Sequence, residues 1–239
     1  MIDIPYKSIT TQRRSSIMIK IENTVSAVNQ MINSSELSFI GNENAPLKIL
    51  IVGNSITRHG PNASIGWERD WGMAASAPDK DYVHRLYAKL QENGIDAFMR
   101  ITQAAHWERN FQNEDILTRY DDDRNFHADI VIFRLGENVL SEEYPLFKEH
   151  FIRYIEHICP EGSTCLFTTC FWKCELDEII KEYAGVRGDI CVELGYEDEK
   201  EMALGLYEHR GVSLHPSDYG MEMMASKIFK GVQAVLSKK

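Results

Sequence analysis

A three-layer α/β/α sandwich, with a mainly parallel central sheet of about five strands, follows from three features of the sequence. Runs of strand length, rich in β-branched residues and apolar at consecutive positions, recur along the chain, and such runs mark strands buried on both faces. Longer segments with helical spacing of apolar residues alternate with them, which is the pattern of repeated βα units. The longest irregular connection, residues 58–78, directly follows the first strong run, and sites of open α/β sheets lie beyond the carboxyl ends of strands.

The elements follow in order. Residues 1–45 are polar and mixed, and read as an N-terminal extension packing on a main domain that spans 46–239. The extension holds an expected helix over Ile21–Ile32 and a short strand Leu37–Ile40 that ends at Gly41. Leu47–Val52 is the first central strand, stopped by Gly53-Asn54-Ser55. A helix over Asp79–Glu92 ends at Asn93-Gly94 and leads into a strand over Ala97–Ile101. Asp129–Leu135 is the clearest later strand, followed by Gly136-Glu137-Asn138 and a helix over Glu143–Ile158. Strands over Thr164–Thr169 and Ile190–Leu194 and a terminal helix over Ser217–Leu236 complete the pattern.

The 239 residues suit one large domain with a sizeable core. Apolar residues at 44% and charged residues at 26% are ordinary for a soluble protein. No apolar run reaches membrane-spanning length, so no membrane partner is expected. The first twenty residues carry Asp3, Lys7, Arg13 and Arg14 and form no export signal, so the expected compartment is the cytoplasm. A net charge of -10 disfavours nucleic acid, which needs a positive surface. The five cysteines, an odd number, argue against a disulfide framework, and the Cys170-x-x-x-Cys174 spacing is loose for a metal. They are expected to be reduced thiols acting as small hydrophobes, with no metal and no cofactor. The sequence leaves oligomeric state open, a homo-oligomer included.

Three residues carry the candidate chemistry. Ser55 follows a buried strand and can present its hydroxyl above the sheet edge, or can simply cap a helix or turn. The turn lacks the glycine spacing of a dinucleotide loop and the lysine of a nucleotide-phosphate loop, so a nucleotide site is the weaker reading. His215 stands in Gly211-Val212-Ser213-Leu214-His215-Pro216-Ser217-Asp218, just before the terminal helix, from where it can reach over the sheet toward Ser55. Asn138 lies beyond the Asp129–Leu135 strand, where its amide can donate to a developing oxyanion or make a turn bond.

These motifs resemble those of the SGNH hydrolases, the superfamily of GDSL esterases and lipases and many carbohydrate O-acetyl esterases. Gly53-Asn54-Ser55 resembles the Gly-Asp-Ser of the first motif, with Asn54 in place of Asp. Gly136-Glu137-Asn138-Val139 resembles Gly-x-Asn-Asp, and Val212-Ser213-Leu214-His215 resembles Asp-x-x-His with Val212 in place of the orienting acid. The second motif has no clear match, and Ala104-Ala105-His106 lies in its region. The resemblance covers roughly residues 47–236 and implies a flavodoxin-like sheet. It also implies a serine esterase in which His215 is general base and acid for Ser55, and the Ser55 N–H, the Ala105 backbone and Asn138 hold the oxyanion.

Two questions follow from the departures. His215 needs an acceptor at its far nitrogen, either a backbone carbonyl, giving a Ser-His dyad, or a carboxylate from Glu208, Asp218 or Glu137. Trp67 and Trp71 either form a flat surface for a sugar or acyl group or cover the core, and Arg58, His59 and Arg134 are candidates to hold a polar group. Arg134, ending a buried strand, needs Glu137 or a ligand as partner. The expected substrate is a small-molecule ester, an acylated carbohydrate or glycoconjugate losing a short acyl group, acetyl above all. A general short-chain esterase or thioesterase, and a non-catalytic carbohydrate-binding protein, are the alternatives. A flavin module is disfavoured because the first loop lacks a Ser/Thr-rich phosphate cradle.

Overall fold

The computed structural model of the chain describes residues 37–159 and 162–238. The helix expected over Ile21–Ile32 lies outside the described residues. Six strands form one sheet: β1 (Leu37–Gly41), β2 (Leu47–Gly53), β3 (Ala97–Gln103), β4 (Ile130–Arg134), β5 (Thr164–Thr168) and β6 (Ile190–Val192), in the spatial order β1-β3-β2-β4-β5-β6. The α-helices among the described residues are α1 (Tyr82–Glu92), α2 (Ala105–Asn110), α3 (Asp121–Asn125), α4 (Tyr144–Ile158), α5 (Leu176–Arg187), α6 (Arg210–Ser213) and α7 (Asp218–Leu236).

The expected parallel strands all form, and a sixth strand joins them at one edge. β2 pairs in parallel with β3 and with β4, and β4–β5 and β5–β6 are parallel too. β1, the short strand expected within the extension, runs antiparallel to β3, with Phe39 opposite Arg100. Counted among the parallel strands alone, the order is second, first, third, fourth, fifth, which is the flavodoxin-like order. Its topological switch point lies at β2, where connections depart to opposite sides of the sheet.

Why β2 reads as continuously apolar is visible in its burial. Ile49 and Ile51 face one core layer with α1 and α7, contributing beside Leu86, Leu90, Met224 and Ile228. Leu50 and Val52 face the opposite layer, built from α2, α4 and α5 with Trp107, Phe147, Phe151, Tyr154 and Ile180. All four β2 residues are fully buried, so alternation of side chains puts apolar groups on both faces.

Helix boundaries shift by a few residues for capping reasons. Pro78–Lys80 is a separate 3-10 turn, and Asp81 then caps α1 by accepting from the His84 N–H. Ser217 caps α7 by accepting from the Gly220 N–H. The helix α5 was not among the expected elements; it buries Leu176, Ile180, Tyr183 and Ala184, an i, i+4, i+7, i+8 stripe.

The connection 58–78 is ordered by its own small core. Isolated bridges His59–Trp71 and Asn62–Trp67 fold it back on itself. Ile65, Trp67, Met73 and Ala74 then pack with Ala203 and Val212 from the segment that precedes His215. No helix among the described residues is long and apolar enough to cross a membrane.

Candidate active site

Ser55 sits in a tight turn immediately after β2. The Asn54 carbonyl accepts the Thr57 N–H at 2.9 Å and the Arg58 N–H at 3.0 Å. A Cβ at Gly53 would lie 1.9 Å from Thr57 Oγ1, so only glycine admits this return of the chain. The Ser55 carbonyl accepts from the Met73 N–H at 2.9 Å, which fastens the turn to the irregular connection. No acceptor among the described residues takes the Ser55 N–H.

Ser55 Oγ lies 2.8 Å from His215 Nε2, and His215 Nδ1 lies 2.6 Å from the Gly211 carbonyl oxygen. A carbonyl can only accept, so Nδ1 carries the proton and Nε2 is left to accept from the Ser55 hydroxyl. The one-turn helix α6 makes this contact, because it brings the Gly211 carbonyl back beneath the histidine ring while the His215 N–H donates to Val212 O at 2.9 Å. Ala203 N–H donates to the His215 carbonyl at 2.8 Å, and Met202 and Pro216 form a bridge, so the histidine loop is held on both sides. Burial lowers the His215 pKa to about 3, against the opposing pull of the Gly211 carbonyl, and His59, Arg134 and His209 lower it further by repulsion. The imidazole is therefore neutral in the folded protein at neutral pH. The Trp172 ring meets it edge-on, with centroids 5.1 Å apart and planes at 84°.

None of the three carboxylates considered as orienting acids serves His215. Glu208 is exposed. Asp218 accepts from the Ser76 N–H at 2.8 Å and from Ser76 Oγ. Glu137 is buried against Arg134, at 2.6 Å from Nη1, and also accepts from the Phe171 N–H at 2.9 Å. Val212, at the place of the usual acid, is buried in the small core of the connection.

Behind Ser55 lies a buried polar network whose centre, Glu108, sequence reasoning missed. Glu108 is fully buried on α2 and accepts from Asn54 Nδ2 at 3.1 Å, from the Gly136 N–H at 2.5 Å and from Asn138 Nδ2 at 2.6 Å. Burial raises its pKa, repulsion from Glu137 adds to this, and the three N–H donors oppose it. Asn54 also donates to Glu137 at 2.7 Å and accepts from Arg134 Nη2. The amide at position 54 thus bridges two carboxylates with its N–H groups; an aspartate there would be a third carboxylate around one guanidinium. The signal in the sequence was the pairing of Asn54 with a glutamate among the apolar residues of α2, which a search by motif does not register.

The remaining candidates fall into different environments. Asn138 is half-buried, with Arg109 donating to its Oδ1 at 2.6 Å and its Nδ2 donating to Glu108. These two charged neighbours fix the amide's orientation and leave its second N–H for another acceptor. The Ala105 N–H donates to Gln103 Oε1 at 3.1 Å and is occupied. Arg134 is fully buried, with its two terminal nitrogens on Glu137 and Asn54 and no hydrogen bond at Nε among the described residues, so the expectation that it touches substrate is corrected: its partners are protein. Trp67 is corrected likewise, being 1% exposed with its indole N–H on the His59 carbonyl at 3.0 Å. His59 is buried, with Nδ1 2.6 Å from Gly60 O. Trp71 is half-buried and donates to Ala75 O, and Arg58 makes a two-pronged pair with Asp70. Arg58 and Trp71 line a cavity of about 160 Å³ with Asp81 and His84, and neither Ser55 nor His215 is among its lining residues. Among the described residues, the group with metal-ligand proximity is Cys170, Cys174 and Asp177, whose ligand atoms lie within 4.8 Å of one another.

No protein-family model and no curated protein matches the chain by sequence. Solved structures match it in fold. A family 3 carbohydrate esterase from Clostridium thermocellum is 17% identical with a TM-score of 0.54, the match covering 80% of this chain and 98% of that one. A family two carbohydrate esterase from Cellvibrio japonicus is 13% identical with a TM-score of 0.53, covering 81% of this chain and 62% of that one. A family two carbohydrate esterase from Clostridium thermocellum, in complex with cellohexaose, is 16% identical with a TM-score of 0.52, covering 83% and 67%. At these identities the likeness is one of fold: the chain shares the α/β fold of these carbohydrate esterases.

Proposed function

We propose that the chain is a serine esterase of the SGNH type that removes a short acyl group, acetyl above all, from a carbohydrate or glycoconjugate. The observation that carries this reading is the Ser55–His215 contact of 2.8 Å with the far ring nitrogen on Gly211 O. His215 accepts the Ser55 proton as Oγ attacks the ester carbonyl, then donates it to the departing alcohol. The resulting acyl-enzyme is hydrolysed by water that His215 deprotonates. The Ser55 N–H and the second N–H of Asn138 are the proposed oxyanion donors, with Glu108 and Arg109 holding the amide in place. A backbone carbonyl replaces the carboxylate of a triad, making the machinery a dyad.

The carbohydrate part of the proposal is supported only by the likeness in fold to carbohydrate esterases. Reaction with a fluorophosphonate tests the nucleophile: a single adduct on Ser55, absent in Ser55→Ala, is expected. Turnover of acetylated sugars is then compared with that of simple aryl esters and acyl thioesters. No adduct on Ser55 refutes the esterase, and a preference for aryl esters or thioesters moves the substrate to a general short-chain esterase or thioesterase.

A further inference from the structure

Cys170 and Cys174 flank the segment that supports both halves of the candidate site. Their sulfurs lie 3.7 Å apart, Cys170 buried and Cys174 half-buried. Asp177 accepts from both cysteine N–H groups, at 2.8 Å and 3.2 Å, and so holds the two backbones in register. Between them, Phe171 donates its N–H to Glu137 and Trp172 meets the His215 ring edge-on. Cys170 Sγ also lies beneath Gly136, whose φ is +134° and where a Cβ would come within 2.6 Å of the sulfur.

The two thiols differ in the way that an attacking and a resolving cysteine differ. The hydrogen bond between the sulfurs holds the Cys174 thiol below its usual pKa, and the Leu176 N–H acts in the same direction. The same bond and full burial push Cys170 up. Tyr144 from α4, Glu175 just before α5, Asp177 within it and Glu137 are the other titratable groups near the pair, and burial, Asp177 and Glu137 oppose the lowering at Cys174. Two sulfurs in contact, one buried and one half-buried, with the lower pKa on the half-buried side, are the arrangement of a peroxide-sensitive dithiol.

We propose that Cys170 and Cys174 form such a dithiol, and that its oxidation by a peroxide to a disulfide displaces the segment supporting His215 and the Gly136–Asn138 loop. Cys174 Sγ attacks one peroxide oxygen, the O–O bond breaks, and the other oxygen leaves as water after protonation, giving a sulfenic acid. Cys170 Sγ then displaces the hydroxyl from Cys174 Sγ, and that hydroxyl leaves with the Cys170 proton as a second water. Two thiols lose two electrons and two protons, and one peroxide becomes two waters. Bond formation draws the sulfurs from 3.7 Å to about 2.05 Å. The five-residue link takes up this movement through Phe171 and Trp172. The effect on Ser55 rests on the proposed esterase function; the crosslink and the movement do not.

The test treats the full chain with hydrogen peroxide, blocks remaining thiols and maps peptides, with hydrogen exchange measured over residues 135–139 and 170–174 and fluorophosphonate labelling of Ser55 followed in parallel. A reductant-reversible Cys170–Cys174 crosslink, altered exchange in both segments and about 10²-fold slower labelling are expected, the loss that a displacement of about 1 Å brings. Cys174→Ser should label at the untreated rate and ignore peroxide. Crosslinking of Cys159 to Cys165 alone, a second close thiol pair, overturns the proposal. So does oxidation of Cys174 beyond a disulfide, a metal ion held by both thiolates that resists peroxide, or a crosslink that leaves exchange unchanged. If the crosslink and exchange changes appear but Ser55 never labels in the reduced protein, the esterase reading fails and the dithiol stands.

Discussion

Glu108 organises more of the candidate site than any residue the motifs name. Its two oxygens receive only N–H donors, from Asn54, Gly136 and Asn138. A glutamine in its place must turn its own NH2 toward one of them, so no orientation avoids donor facing donor. Glu108→Gln should therefore cost about 1–3 kcal/mol of stability, the penalty of an unpaired buried group. If Asn138 is an oxyanion donor, kcat should fall about 10²-fold with KM little changed; thermal melts and ester kinetics check both, and an unchanged kcat would remove Glu108 from the site's support. His215 carries a separate prediction. Its folded pKa, lowered to about 3 by burial, lies below the unfolded value near 6.5. Between those values the unfolded chain binds the proton that the folded chain refuses, so stability from this group is complete above about pH 6.5 and declines as pH falls toward 3. Nitrogen NMR at pH 5 should show the His215 imidazole neutral and protonated at Nδ1; an imidazolium there would refute its burial against Gly211. The sequence revealed Ser55, Asn138 and His215 because each lies in a motif tied to a strand end. It offered a backbone carbonyl for His215 without identifying Gly211, since a backbone acceptor has no residue identity, and it concealed Glu108, since a glutamate on a helix usually faces water.

The connection 58–78 lines the small cavity through Arg58, Asp70 and Trp71, and its packing gives it a further task. It joins Ser55, through the Met73 N–H, to the histidine segment, through Val212 and Ala203. Trp67 lies at the centre, packed edge-on to Trp71 and Tyr207 with ring centroids 6.1 Å and 6.0 Å away. Trp67→Ala should thus cost about 3–5 kcal/mol and loosen the Ser55–His215 contact beyond what the stability loss alone predicts. Slower fluorophosphonate labelling of the still-folded fraction would show it, and an unaltered labelling rate would limit the connection to stability. From sequence, two tryptophans in an irregular stretch fit a sugar platform and a local core equally well; the packing of the stretch onto Ala203 and Val212 separates them. The helix α5 illustrates the opposite case. Its apolar stripe was present and β5, expected over Thr164–Thr169, forms over Thr164–Thr168, yet the helix after the cysteine- and aromatic-rich residues was missed.

The fold as a whole was legible because βα alternation and doubly apolar strands leave few arrangements, and the switch point at β2 then dictates where a site forms. Ser55 follows β2 and Asn138 follows β4, its direct neighbour, so the two stand beyond adjacent strand ends beside the switch point without any long-range coincidence. Less legible was the role of β1, since a four-residue apolar stretch in a polar leader carries no sign of its partner. In the structure it covers the outer edge of β3, with Phe39 stacked on Phe98 at 5.3 Å between centroids and the Arg100 guanidinium over the Phe39 ring. Antiparallel pairing there satisfies backbone groups that would otherwise offer a template to a second chain. Deleting residues 1–42 should therefore leave the Ser55 side of the sheet intact while exposing the β3 edge. Light scattering and sedimentation should report more concentration-dependent association than the full chain shows. Monomer recovered at low concentration should still label at Ser55 within about threefold of the full chain, because β1 is separated from β2 by β3 and shares no hydrogen bond with the site. A deletion variant that remains monomeric at every concentration would show that β1 is dispensable as an edge cover, and loss of labelling in the monomer would show that the leader supports the site itself.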